Sequence, residues 1–159
     1  MKFSRKLIAV ASVLLFFFVA NVTHAAKAPS FMDGDKNYTL VWKDSQAVHY
    51  LDRSSVKMTV NDAPFFIITA QTVTAGGTVT YKFFFDESEP DMRVFDVAVD
   101  DWRYLNPSKD TDYRMYIGEA IFYFAHGRKF YGNYLWKTEA DDKTVYTDKF
   151  NDELYQGWN

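Results

Sequence analysis

PFFIITAQTVTAGGTVTYKFFFD, residues 64–86, is the stretch that decides the fold. Its first eleven residues are extended in character and its last nine alternate, with Ala75-Gly76-Gly77 between them. In the second run Val79, Tyr81, Phe83 and Phe85 share one face. Thr78, Thr80, Lys82 and Asp86 share the other, with Phe84 as the exception. A period of two marks a strand with one wet face. Two such runs joined by a short glycine-containing connector predict a β-hairpin.

Upstream, residues 38–43 (YTLVWK) and 47–51 (AVHYL) are strand candidates separated by the turn Asp44-Ser45-Gln46. Arg53-Ser54-Ser55 reads as a second break, followed by a short strand over 57–60 that Asn61-Asp62 ends. Downstream, residues 87–91 form an acidic turn. Residues 93–99 place Arg93, Phe95, Val97 and Val99 on one face and predict a third strand of the meander, ended by Asp100-Asp101. Residues 102–112, with Asn106-Pro107 and several charges, read as a loop.

The period then changes. Tyr113, Ile117, Ala120, Ile121 and Phe124 recur at helical spacing and predict an amphipathic helix over 113–126. Thr111 or Asp112 can cap its start, Gly127 can close its end, and Arg128 and Lys129 complement its dipole. Residues 129–137 (KFYGNYLWK) read as a strand, with Gly132 a bulge or a close approach. The polar segment 138–159 suggests a short strand at 144–147 and a short helix near 148–155. This order predicts an α+β fold: a curved antiparallel sheet of about five to seven strands packed on one main helix. A sheet curled into an open half-barrel buries the aromatics best.

Residues 1–25 read as a signal peptide, leaving 26–159 as one α+β domain with the polar C-terminal segment 138–159. Lys2, Arg5 and Lys6 precede an apolar core over 7–20, and Thr23-His24-Ala25 offers a cleavage site after Ala25. A core of about 14 residues is short of the ~20 that a spanning helix needs. The expected destination is the periplasm, the cell surface or the medium, with no stable membrane span after cleavage. Three of the 18 basic residues leave with the leader, so 15 face 21 acids and the remainder carries a net charge of −6. Such acidity argues against a nucleic-acid partner. With no cysteine in the chain, a disulfide scaffold, a thiolate zinc site and a cysteine nucleophile are excluded.

Motifs for chemistry are few. There is no G-x-S-x-G, H-E-x-x-H, P-loop or G-x-G-x-x-G. The two histidines beyond the leader, His49 and His126, fit structural places in a strand and at a helix end. Asp33, Asp35, Asn37 and Asp44 imitate a calcium loop, but Tyr38 stands where the turn needs glycine. Asp86, Glu87, Glu89 and Asp91 form an acidic cluster that suits a solvated turn as well as a cation. Asn37-Tyr38-Thr39 is a glycosylation sequon in form. The expectation is no catalytic residue, no metal and no cofactor.

The aromatic content points further. Beyond the leader the chain keeps 11 Phe, 11 Tyr and 4 Trp. Each Tyr and Trp carries a polar group needing a partner, so some rings should sit half-exposed, where they can recognise a protein or a glycan. Trp42, Trp102, Tyr104, Tyr131, Tyr134 and Trp136 are the candidate binding residues.

His49-Tyr50-Leu51-Asp52-Arg53-Ser54-Ser55-Val56-Lys57, followed by the strand over 65–74, resembles the opening of the surface-adhesin protein E-like family of small exported bacterial domains. The family's step is Tyr-x-Asp-x-x-Ser-[Ile/Val]. The segments Trp102-Arg103-Tyr104-Leu105-Asn106-Pro107, Gly118-Glu119-Ala120 and Lys129-Phe130-Tyr131-Gly132 are similar to exported proteins of the same neighbourhood. The resemblance implies an adhesin-like binding role at the cell surface and no catalytic residue. Two functions of different class follow. One is an exported, non-enzymatic binding module that shows aromatic and charged sheet surface to a protein or glycan. The other is a small-ligand carrier or hydrolytic enzyme, with a pocket between sheet and helix using His126, Tyr123 or Arg114.

Overall fold

The computed structural model describes residues 30–107, 112–134 and 149–159. The leader and the expected strand at 144–147 lie outside the described residues. Six strands follow one another: β1 (Tyr38–Lys43), β2 (Val48–Asp62), β3 (Phe65–Thr74), β4 (Gly77–Asp86), β5 (Asp91–Asp96) and β6 (Asp101–Tyr104). They pair antiparallel in that order as one open sheet with β1 and β6 at its edges. A helix, α1 (Arg114–His126), lies against the inner face, and a short helix, α2 (Asp152–Gln156), follows. The fold is α+β, as the patterning predicts.

The expected hairpin is β3–β4, with ten residue pairs in unbroken register from Phe65↔Asp86 to Thr74↔Gly77. Gly77 closes it at φ 114°, where L residues are strained. Phe66, Ile68 and Ala70 of β3 and Tyr81, Phe83 and Phe85 of β4 are buried under the helix. Val79, near the turn end of the hairpin, is exposed.

Three expectations need correction. Residues 53–55 do not separate two strands. The register jumps between Asp52 and Lys57 while β2 runs on, so 53–56 form a bulge. The run 102–112 is not wholly loop, because Asp101–Tyr104 pairs with β5. Acidic flanks and Asn-Pro hide a strand that is only four residues long. The third strand correspondingly stops at Asp96, and Val97 and Val99 stand in the β5–β6 turn at 82% and 69% exposure.

The third correction concerns 129–137. Among the described residues this segment forms no strand, and Tyr131–Tyr134 is a 3-10 turn. The reason lies on α1. Glu119 is fully buried. It accepts the Phe130 N–H at 2.8 Å, the Tyr131 N–H at 2.9 Å and the Tyr155 hydroxyl at 2.6 Å. Backbone donors that a ladder needs are thus taken by a carboxylate. Burial pushes the Glu119 carboxyl up, and these donors with the Gly132 N–H oppose that push.

Helix α1 starts beside Asp112, whose Oδ1 accepts the Arg114 N–H at 3.0 Å. It ends at Gly127 in the left-handed region, φ 68°, as expected from sequence. Gly118 lets the helix approach the sheet closely. A Cβ there would meet Met92 Sδ at 2.5 Å and Phe83 Cε1 at 2.8 Å. Phe66, Phe85, Phe122 and Phe130 interlock beneath it at centroid spacings of 4.9–5.8 Å. Asn151 caps α2 by accepting the Leu154 N–H.

Glu119→Ala strands buried donors and opens a cavity, so a loss of about 3 kcal/mol is expected. Urea unfolding checks it: the midpoint should fall while the slope holds.

Candidate functional site

The outer face of the sheet, opposite α1, is built from the residues that alternate away from the core. Register carries one row across five strands: Val60↔Ile67, Ile67↔Phe84, Phe84↔Arg93 and Arg93↔Tyr104. Phe84, the exception to the alternation, stands in its middle. Around it Phe65 stacks at 6.2 Å and Trp102 meets it edge-on at 6.1 Å. Trp102 also pairs with its cross-strand partner Phe95 at 5.4 Å. Two cations lie on these rings: Lys82 Nζ is 5.3 Å from Phe95 and 5.4 Å from Trp102, and the Arg93 guanidinium is 5.6 Å from Phe84. Phe65 and Tyr104 are exposed, and Val97 and Val99 extend the apolar surface past β5. Burial pushes the Tyr104 phenol up, with Asp91 adding to it.

A second feature lies at the β1 edge. Trp42 packs on Tyr116 of α1 at 5.0 Å and donates its indole N–H to Asp44 at 3.2 Å. With Leu40, Val41, Leu154 and Trp158 these rings border an open cleft of about 370 Å³.

The six candidate residues therefore scatter. Trp102 and Tyr104 share the outer face. Trp42 belongs to the edge cleft. Tyr131 is fully buried and donates its hydroxyl to the Leu105 carbonyl, so it is core and offers nothing to a partner. Tyr134 closes the 3-10 turn, and Trp136 lies outside the described residues. Sequence reasoning missed Phe65, Phe84 and Phe95 as surface groups. The available signal was Phe84 breaking the alternation.

Nor do the residues of the expected sheet–helix pocket converge. Arg114 and His126 are the two ends of α1, about 18 Å apart by helical rise. Arg114 is held by Asp112 at 2.6 Å. Burial works to raise the Asp112 carboxyl, but Arg114 and its backbone N–H hold it below the ordinary range. The Tyr123 hydroxyl accepts from Asn159 at 3.2 Å.

Several residues of the two acidic clusters are engaged by protein groups. Asp86 accepts from Ser88, Glu87 pairs with Arg128, and Asp91 pairs with Arg93 at 2.6 Å. Asp35 accepts the Asn37 N–H, and Asp44 accepts the Gln46 and Ala47 N–H groups. The Asn37 amide of the sequon donates to Asp52 at 2.8 Å. Among the described residues no group of three His, Asp or Glu side chains is placed to hold a metal. No helix among them is long and apolar enough to cross a membrane. Comparison with family models, curated proteins and solved structures finds no match.

His126 packs between Phe122 at 4.5 Å and Phe66 at 4.6 Å, and its buried Nε2 has no partner among the described residues. Burial lowers its pKa, as it does that of His49 beside Thr72. A lowered folded pKa means stability that is full above the ordinary histidine value and lost as pH falls through the folded one. Urea midpoints should therefore fall from pH 7 to pH 5, and His126→Leu should flatten that dependence.

Proposed function

We propose that the chain is an exported binding module of adhesin-like character that engages a protein partner through the outer face of its sheet. The observation that carries this reading is the row of Ile67, Phe84, Arg93 and Tyr104 with Trp102 and Phe95 beside it. Half-buried aromatic rings combined with arginine are the composition of a protein–protein contact. A glycan platform needs a bare ring face. Here the Trp102 ring has Phe84 and Phe95 edge-on and Lys82 above it. Among the described residues Lys82 has no carboxylate partner, so the partner should bring acidic groups next to apolar ones. The leader read over 1–25 and the resemblance at 49–57 are consistent with a role outside the cell.

Phage-displayed peptides panned on the full chain test the idea. The expected selection is a motif mixing acidic and apolar residues. A synthetic peptide of that motif should lose about tenfold or more in affinity for Phe84→Ser and for Lys82→Glu. Lys82 is exposed, so the second variant should melt like the wild type. Absence of any selected motif, or equal binding by both variants, would sink the reading. So would selective binding of an acidic oligosaccharide in place of peptides.

The edge cleft favours a second reading, a carrier for a compact apolar ligand stacked on Trp42. Anilinonaphthalene sulfonate should then bind the full chain, and Leu154→Trp, which fills the cleft, should abolish the signal. Unchanged dye binding by that variant rules the carrier out.

A further inference from the structure

The β2 bulge builds a third feature, on the helix side of the sheet's first hairpin. The register jump between Asp52 and Lys57 frees Arg53 from the ladder. Its N–H bonds the Asn37 carbonyl at 2.9 Å instead. Its guanidinium then lies 4.3 Å over the Phe124 ring of α1, with Nη1 3.4 Å from the Lys36 carbonyl. Lys36, Asn37, Arg53, Ser54 and Phe124 border one open depression of about 460 Å³.

Two basic residues thus border one depression of an acidic protein. Arg93, Arg103, Arg114, Arg128 and Lys129 each have a carboxylate within 4.0 Å. Among the described residues Arg53 and Lys36 have none. The nearby carboxylate, Asp52, is satisfied otherwise. It accepts from Asn37 Nδ2 at 2.8 Å, from the Ser54 N–H at 3.0 Å and from Ser54 Oγ at 2.6 Å. The same bonds fix Asn37 and Ser54 at the rim, and the Ser54 N–H is shared with Asn37 Oδ1 at 3.0 Å.

We propose that this depression binds the anionic group of a small hydroxylated ligand, a carboxylate or a phosphate, through Arg53 and Lys36. A planar guanidinium already seated on a ring needs little ordering to form a bidentate pair with an oxyanion. Lys36, which also borders the depression, adds a second charge. Asn37 and Ser54 supply side-chain oxygen and nitrogen at the rim for the ligand's hydroxyls. The site is independent of the outer sheet face and stands whether or not that face binds a protein.

Amide NMR spectra of the full chain, recorded at fixed ionic strength, test it. The probes are glucuronate, inorganic phosphate and, as neutral control, glucose. One or both anions should give saturable shifts at Asn37, Arg53 and Ser54, and glucose none. The anion that acts identifies the group as carboxylate or phosphate. Lys36→Ala and Arg53→Ala replace exposed side chains and should fold as the wild type, yet each should weaken binding about tenfold. Absence of those shifts with both anions overturns the proposal, as does a Lys36→Ala/Arg53→Ala double variant that titrates like the wild type.

Discussion

A buried carboxylate organises this fold. Glu119 sits on the helix face that touches the core, where a charge without partners would be costly. Its donors come from two later parts of the chain, the backbone after Gly127 and the hydroxyl of Tyr155. Helix α1 therefore carries the fixed point to which the C-terminal region is tied. The left-handed Gly127 turns the chain back so that Phe130 and Tyr131 can reach that point. Gly132 follows for lack of room: a Cβ there would lie 2.7 Å from Tyr155 Oη. The close approach is the one of the two sequence readings of Gly132 that the geometry supports.

That arrangement gives the sheet two unlike faces. Inside, α1 and the residues tied to Glu119 cover Phe66, Phe83, Phe85 and Met92 completely or nearly so. Outside, no described element covers the sheet, and its aromatic residues pack on one another and on Lys82 and Arg93. A strand that only needed a core face would place polar residues at every outward position. Here Ile67, Phe84 and Phe95 occupy such positions. The apolar content beyond what one helix can cover is thus concentrated on one surface rather than scattered.

How much of this was legible in the sequence follows from the range of the interactions. The β3–β4 hairpin and α1 are local, and period, turn glycine and C-cap announce them. Strand β6 was hidden because its pairing partner β5, rather than its own composition, makes it a strand. The run after Lys129 is rich in aromatics and reads as β, but a carboxylate eleven residues earlier takes its donors. Tyr131 was misplaced on the surface for the same reason. Tyr104 was legible as an exposed ring and Trp102 as a half-buried one, while their neighbours Phe65 and Phe84 needed the register. Arg53 looked like part of a turn, and only the fold brings Phe124 beneath it.

The cations complete the pattern. An acidic chain has carboxylates to spare, and five of its described cations are matched with one. Lys82, Arg53 and Lys36 are held by rings instead, over Trp102 and Phe95, over Phe124, and over Phe31. The two kinds of partner have different consequences. A carboxylate neutralises the charge it positions. An aromatic face positions the charge and leaves it intact for an incoming anion. Ring-held cations at the outer face and at the β2 bulge therefore keep local positive potential on a molecule whose net field is negative. An acidic ligand repelled by the chain as a whole meets short-range attraction at those places.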